Sequence, residues 1–433
     1  MSLSVKAILA AQAGCEDLLP TPPVADPELT PLEQHELEDD LAHAKLANEI
    51  QENSKEIQKL GDAVETIDEE VEELEQVVDG MEFLCAQPEL NRGAIDILYR
   101  RAVKLSHNLG GEEVQPVAGN ESLATDDAYR AEVVAGCEGF MDTAKKAFKS
   151  AGDFIKRLFF RLVDNVVAFF KLSSDLTAKA EKMKKEHKDH NVKAKIKLGA
   201  WNRWIDKNMS STDSLFADLG KAQHKFYEII KNSMNVTEIN ESHLTSLQGE
   251  ITELSHAFQK AVRGNSGNLI IFTLGSGREY KNSRNTNSDN LIEWTYPDES
   301  KSKPETLDKT VAEFSFKLTN GNQEEFQTKA EISGEVDALF THSQLEGILN
   351  TVISNAELIK SIKKDAESAK SNVSDIVNRL TKLESGKGDD KATKVYVATL
   401  KALASKYTQL SNNLCRLITE IDKAKLAAVK AHY

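Results

Sequence analysis

Eight aliphatic residues recur at spacings of seven, three and four between Ile50 and Val78, and this repeat constrains the fold more than any other feature of the chain. They are Ile50, Ile57, Leu60, Val64, Ile67, Val71, Leu74 and Val78. Such a repeat places apolar side chains along one stripe of a long helix, as in a coiled coil. We therefore predict an acidic helix from Leu32 to about Cys85, interrupted at Gly61, whose aliphatic seam pairs with another copy or with a scaffold helix.

The charged residues are distributed unevenly along the chain. The 433 residues carry 54 basic and 69 acidic side chains, a net charge of −15. Residues 1–138 hold 9 basic and 31 acidic side chains, a net of −22, whereas residues 139–433 hold 45 and 38, a net of +7. This asymmetry is typical of an acidic arm beside a part that seeks a polyanion or a membrane, or of an acidic coiled coil beside an ordinary globular region.

The remaining periodicity predicts more helix and one region of strand. Aromatic residues form only 6% of the chain, while Ala, Leu, Lys and Glu are abundant, which favours long helices. The pattern becomes that of strands between about 267 and 338. The predicted fold class is mostly α, with elongated helices, coiled-coil pairing and a small antiparallel β subdomain. Shorter helices are predicted at 93–108, 193–208, 212–233 and 239–263, and longer ones at 140–190, 342–384 and 391–429.

Composition divides the chain into five segments. They are an N-terminal amphipathic segment with a Pro-rich linker at 1–31, an acidic helical or coiled-coil segment at 32–138, a basic helical region at 139–266, a small β insert at 267–338 and a C-terminal helical hairpin at 339–433. Proline-rich stretches such as 18–31 are typical of linkers.

No group of residues has the spacing of a catalytic or metal site. Glu186, His187, Asp189 and His190 stand close together in the sequence, but the lysines around them would repel a cation. The turn Ser385-Gly-Lys-Gly lacks the earlier glycine and the following Ser or Thr of a phosphate-binding loop. The four cysteines form neither a disulfide framework nor a CxxC pair. We therefore expect a protein that is not an enzyme and that binds no metal and no cofactor.

The tetrapeptide Ala-Gly-Cys-Glu occurs twice, at 13–16 and at 135–138, and the two copies bracket the acidic region. A small residue two places before Glu suits a protease that binds its substrate as an extended strand, because little side-chain bulk fits beside that strand. The predicted cleavage-site residues are Gly14, Cys15, Glu16, Gly136, Cys137, Glu138 and Gly139. A cut after Glu138 would leave Gly139 as a new N-terminus.

The organisation of the chain resembles that of the internal head proteins of phiKZ-like giant tailed phages. The resemblance is carried by the amphipathic start, the small-x-Glu signals, the acidic removable coiled coil and the basic, helix-rich remainder, and it spans essentially the whole chain. It implies a structural virion protein that is made as a precursor, cut by the phage's own prohead protease and packed inside the head with the DNA. In some members the protein leaves with the DNA. It also implies capsid or scaffold proteins as partners, and a targeting role for residues 2–13.

The densest run of basic residues is the predicted contact with double-stranded DNA. Its members are Lys182, Lys184, Lys185, Lys188, Lys193, Lys195 and Lys197. Lysine–phosphate contacts would give affinity without sequence preference, and the attached acidic propeptide would limit that affinity until it is removed. The plainer interpretation is that these lysines solvate the end of a long helix.

Two other functions are compatible with parts of the sequence. Residues 140–170 contain seven phenylalanines, which a membrane-active helical protein of the pore-forming kind would use, although core packing between helices explains them better and a spanning helix is not expected. Ala13-Gly14-Cys15 also ends like a lipobox, so that a bacterial envelope coiled-coil lipoprotein is the second alternative, although Gln12 stands where Leu is usual.

Overall fold

A computed structural model gives the fold of most of the chain. The structure describes residues 31–109, 125–197, 201, 210–233, 239–264, 272–273, 279–280, 292–297, 302–318, 335–385 and 391–433. The chain divides into a first unit at 1–47 and a second unit at 48–433. Of the described residues, the first unit contains only the start of the first helix, and all other elements lie in the second unit.

Helices dominate the part of the chain that the structure describes. The α-helices are α1 Pro31–Ala86, α2 Arg92–Asn108, α3 Asp126–Glu186, α4 Ser210–Ser233, α5 Glu241–Gly264, α6 Leu307–Ala312, α7 His342–Ser385 and α8 Lys391–His432. The strands are β1 Lys195–Lys197, β2 Phe272–Thr273, β3 Glu279–Tyr280, β4 Ile292–Thr295, β5 Ser315–Leu318 and β6 Glu335–Asp337. The predicted class, mostly α with a small antiparallel β part, is confirmed.

Helix α3 begins well before Phe140, where the apolar stripe suggested that it would start. Its N-cap is Thr125, whose side chain accepts a hydrogen bond from the backbone N–H of Ala128 at 3.3 Å. Such a cap satisfies one of the free N–H groups of the first turn. The predicted start at Phe140 was wrong because this cap and the packing of Gly136 against α2 outweigh the low helix propensity of glycine.

The aliphatic seam of α1 is buried inside this chain. Its second half forms one apolar cluster with α2 and the start of α3, which includes Val71, Leu74, Tyr99 and Phe140. The seam residues between 50 and 64 are buried as well. Helices of the same chain thus cover the seam that the sequence predicted to pair with another copy or with a scaffold helix.

Helices α3 and α7 run antiparallel along most of their length. The ammonium of Lys370 lies 4.5 Å from the ring centroid of Phe160, and Lys184 lies 3.6 Å from Glu346 at the other end of the pair. Of the phenylalanines at 140–170, Phe140, Phe159 and Phe169 are at most 1% exposed. Those three side chains therefore belong to the hydrophobic core.

Helix α8 is surrounded by the other elements. Every residue from Leu403 to Cys415 is buried, which requires neighbours on all sides of the helix. These neighbours include α3, α4, α6, α7 and β5. The predicted helix from 391 to 429 is confirmed, but the sequence did not reveal its central position.

Within the described residues, the strands form three two-stranded antiparallel ladders. Strand β4 pairs with β5, and both strands lie in the region between about 267 and 338 where strands were predicted. Strand β1 was predicted as helix, and it pairs instead with β6 through Ile196 and Val336. Here the backbone of Lys193, just before β1, donates to the carbonyl of His432, so tertiary pairing overrides local propensity. Residues 319–334 of the predicted β insert lie outside the described residues.

Candidate functional site

The second copy of the repeated tetrapeptide lies inside helix α3. A Cβ atom on Gly136 would lie only 2.7 Å from a ring carbon of Tyr99, so the glycine allows α2 and α3 to approach closely. Beside Gly139, by contrast, a Cβ would meet nothing within 4 Å. The hydroxyl of Thr143 donates to the carbonyl of Gly139 at 3.1 Å, as is usual within a helix. The two glycines therefore have different roles, one in packing and one on an open face.

In this copy the two inner residues, Gly136 and Cys137, are buried, and the two outer residues, Ala135 and Glu138, are exposed. Cys137 is 1% exposed, and burial raises the pKa of its thiol to about 12, with further contributions from Glu82 and Cys85. Glu138 is exposed. A protease that binds an extended strand would have to unwind this turn and withdraw Cys137 from the core before it could cut. The first copy, Gly14-Cys15-Glu16, lies outside the described residues.

Acidic residues of α1 pair with basic residues from both sides of the predicted cut. On the near side, Glu73 pairs with Arg101 of α2. On the far side, three ion pairs connect α1 to three different helices. They are Glu56–Arg161 at 2.9 Å, Glu72–Lys309 at 3.3 Å and Glu75–Lys394 at 3.0 Å. No sequence pattern predicts these pairs, because two of them join residues 237 and 319 positions apart.

The seven predicted DNA-binding lysines lie at the end of α3, on the connection that follows it and in strand β1. Several of them face acidic side chains. Lys182 lies 3.9 Å from Glu186, and Lys184 contacts Glu346 of α7. In the β1–β6 ladder, Lys195 stands opposite Asp337 and Lys197 opposite Glu335. Opposite charges on facing residues of a ladder attract each other, so these four lysines carry less net positive potential than their spacing in the sequence suggested.

The other three members of this run, Lys185, Lys188 and Lys193, are exposed, and none of them forms an ion pair with a described acidic side chain. Trp201 just beyond them is buried, with its ring centroid 6.0 Å from that of His432. It therefore belongs to the core and cannot serve as a platform for stacked bases. Trp204 lies outside the described residues.

The chain matches a protein-family model along nearly its whole length. The model of the phiKZ-like phage internal head proteins matches residues 45–431. The chain belongs to this family. No curated protein and no solved structure matches the chain. The match includes the acidic helix α1 from residue 45, the predicted cut and the lysine run, so all three lie within the family's domain.

Membership in the family gives the protein its place and its broad role. It is a structural component located inside the phage head, within the virion, and its partners are associated with the capsid. The family is one of structural head proteins and not an enzyme class.

Two structural features of other functional classes, a membrane-spanning helix and a metal site, are not found among the described residues. Among them, no helix is both long enough and apolar enough to cross a bilayer. Nor does any group of three or more His, Cys, Asp or Glu side chains in that part of the chain have the arrangement of a metal site.

Proposed function

We propose that this internal head protein is made as a precursor and is cut by the phage's prohead protease after small-x-Glu sequences. The observation that carries the proposal is the verbatim repeat of Ala-Gly-Cys-Glu at 13–16 and 135–138, in a chain of this family. The cut at Glu16 would remove the amphipathic targeting segment. The cut at Glu138 would divide the chain where its net charge changes sign, provided that the turn around Cys137 first opens.

The lysine run adds a role in contact with the packaged DNA. Lys185, Lys188 and Lys193 are exposed near one end of α3, and contacts of this kind bind phosphate without reading sequence. The net charge of +7 for residues 139–433 is modest, so the affinity should be low and should fall steeply with salt. The protein would then lie among the DNA in the head, and leave with it where the phage ejects internal proteins.

The N-terminal residues of the protein in purified particles test the processing. We expect termini at Asp17 and Gly139, and we expect Glu138→Gln with Gly136→Leu to leave longer chains in the particle. Glu132→Gln, on the same helix but without a small residue two places before it, is the matched control and should be processed normally. Chains that begin only at Met1 or Ser2 in mature particles would exclude the proposed processing.

Charge-reversal variants test the proposed contact with DNA. Reversal of Lys185, Lys188 and Lys193 to Glu should weaken binding of the full chain to double-stranded DNA at low salt and reduce the salt dependence of that binding. The control reverses Lys55, Lys59 and Lys104, which are exposed on α1 and α2 and change the net charge equally. Equal losses in the two variants would show that only net charge matters and would remove the lysine run from the proposal.

A further inference from the structure

We infer that the acidic arm, residues 48–108, is a tightly docked partner of the rest of the protein and stays bound after the chain is cut. The arm comprises most of α1 and all of α2. The occurrence of a cut in the phage rests on the proposed function, but the docking of the arm does not. The contacts that hold the arm are of four kinds, and each joins residues on opposite sides of the predicted cut at Glu138.

Apolar contacts form one part of the docking surface. Phe140, Ala144 and Ala147 lie beyond the predicted cut, and they share one buried cluster with the seam of α1 and with α2. Tyr99 of the arm packs edge-on against Phe140, with ring centroids 5.2 Å apart. Departure of the arm would expose all of these side chains to water, and burial of apolar surface is the main force that holds helices together.

A buried polar contact fixes the register of the arm. The side-chain amide of Asn165 in α3 donates to the hydroxyl of Ser54 at 3.0 Å and also to the side-chain oxygen of Asn412 in α8. The Ser54 hydroxyl reaches the same Asn412 oxygen at 3.3 Å. Asn165 and Asn412 are at most 3% exposed. Loss of the arm would therefore remove one hydrogen-bond partner, Ser54, from the side chains of Asn165 and Asn412.

A close approach of backbone to side chains lies two turns further along α1. A Cβ atom on Gly61 would lie 2.7 Å from the side-chain nitrogen of Gln409 and 3.2 Å from the hydroxyl of Ser405. Gly61, which interrupts the aliphatic seam in the sequence, therefore allows α1 to lie directly against α8.

Charge complementarity completes the surface. The arm carries 6 basic and 15 acidic side chains, whereas residues 139–433 have a net charge of +7. The ion pairs from Glu56, Glu72 and Glu75 join the two parts at three places along α1. Exposed pairs of this kind contribute little stability one by one, but together they favour the docked orientation.

A docked arm changes what processing would achieve. The cut alone would not unmask the basic residues, because the acidic side chains would remain in place beside Arg161, Lys309 and Lys394. The two products would instead enter the mature head together and in equal numbers. Unmasking would then need a second event that opens the interface.

Cleavage of the folded full chain by an added protease tests the docking. A recognition sequence for a site-specific protease, flanked by Gly-Ser, is inserted after Gly110, and molecules that a denaturing gel shows to be cut are followed by size exclusion. We expect the two fragments to elute together in native buffer and to separate in concentrated urea. Separate elution in native buffer at physiological salt would overturn the inference.

Charge reversal at the interface provides a matched pair of variants. Arg161→Glu, Lys309→Glu and Lys394→Glu together should lower the urea concentration at which the cut arm leaves, because each lysine or arginine faces an acid of the arm. The control reverses Lys221, Lys360 and Lys423, which pair with acids on their own helices. Release of the arm at the same urea concentration in both variants would exclude the contribution of the ion pairs.

The two hypotheses fail in different experiments. The cleavage assay does not use the phage protease, so early release of the arm would refute docking and leave the proposed processing intact. The termini found in particles would refute processing without affecting docking. If both hold, quantitative mass spectrometry of mature particles should find peptides from 48–108 as abundant as peptides from 139–433. Selective loss of the 48–108 peptides would overturn retention in the head.

Discussion

The acidic helix α1 and the C-terminal helix α8 are two long helices that meet at Gly61. They differ in the types of residue that they bury. In α1 most of the buried residues are aliphatic and lie on one stripe, while many residues on the other faces are acidic and exposed. In α8 the residues from Leu403 to Cys415 are all buried, although Ser, Thr, Gln and Asn are common among them. The comparison shows that a central helix can bury polar residues among its apolar ones, because neighbouring elements supply hydrogen-bond partners to several of them, such as Ser411, Asn412 and Asn413.

Equal truncations in the two helices should show whether both belong to one core. Leu74 in α1 and Leu414 in α8 are each 0% exposed. We expect L74A and L414A each to lower the free energy of unfolding by about 2–5 kcal/mol, from lost burial and the cavity that remains. Urea unfolding monitored by circular dichroism measures both values. A loss below about 1 kcal/mol for L74A alone would mean that α1 lies loosely on the rest of the protein.

The polar core around α8 should be the next most sensitive feature. Asn355 of α7 donates to the buried carboxylate of Asp422 at 2.7 Å, and Lys425 lies 3.8 Å from the same carboxylate. We expect N355A to cost about 1.5–3 kcal/mol, because a buried charged group loses a hydrogen bond.

The control for this substitution is S354A. Ser354 is exposed on the same helix and bonds only to the carbonyl of Thr351 in the structure described. The variant should change the free energy of unfolding by less than about 0.5 kcal/mol. Similar losses for N355A and S354A would show that the polar core contributes nothing beyond the local helix.

Alanine substitutions at the two glycines of the predicted cut distinguish the effect of side-chain packing on stability from the effect of helix propensity. G139A should stabilise the protein by up to about 1 kcal/mol, since alanine favours helix and its Cβ meets no neighbour. G136A should destabilise it by about 1 kcal/mol, because the overlap with the Tyr99 ring outweighs the same gain. Thermal unfolding compares the two variants. Stabilisation by both substitutions would show that α2 does not lie close to α3 in solution.

The smallest effect is expected from pH, at the end of α8. The Nε2 atom of buried His432 accepts from the backbone N–H of Leu339 at 3.2 Å, and Nδ1 lies 2.7 Å from the carbonyl of Ala428. Burial lowers the pKa of His432, and Lys193 lowers it further. The unfolded chain therefore binds the proton more readily, and stability should be lost as the pH falls below about 6.5.

A pair of glutamine variants checks the source of this pH dependence. H432Q should flatten the decline in melting temperature between pH 7 and pH 5. H107Q, at an exposed position of α2, should leave the decline unchanged. An unaltered decline in H432Q would assign the pH dependence to other groups.

Predictions of helices and strands from the sequence succeeded where a local repeat of apolar residues marks the buried face. The seam of α1 and the strand pattern of β4 and β5 are local periodicities, and both were located correctly. The start of α3 was misplaced, because its glycines lower helix propensity while contact with Tyr99 favours the helix. Strand β1 was misread as helix, because only pairing with β6, more than a hundred residues away, makes it a strand.

The sequence by itself determined the helical class, the acidic arm, the repeated tetrapeptide and the resemblance to the family that the comparison then confirmed. These features depend on composition, on short motifs and on periodicity within one segment. The tertiary structure alone decided that α8 is central, that the second tetrapeptide lies within a helix and that the arm contacts the rest of the chain through buried groups. Those outcomes depend on which distant surfaces meet, because burial and charge pairing are properties of two segments together and cannot be read from either one.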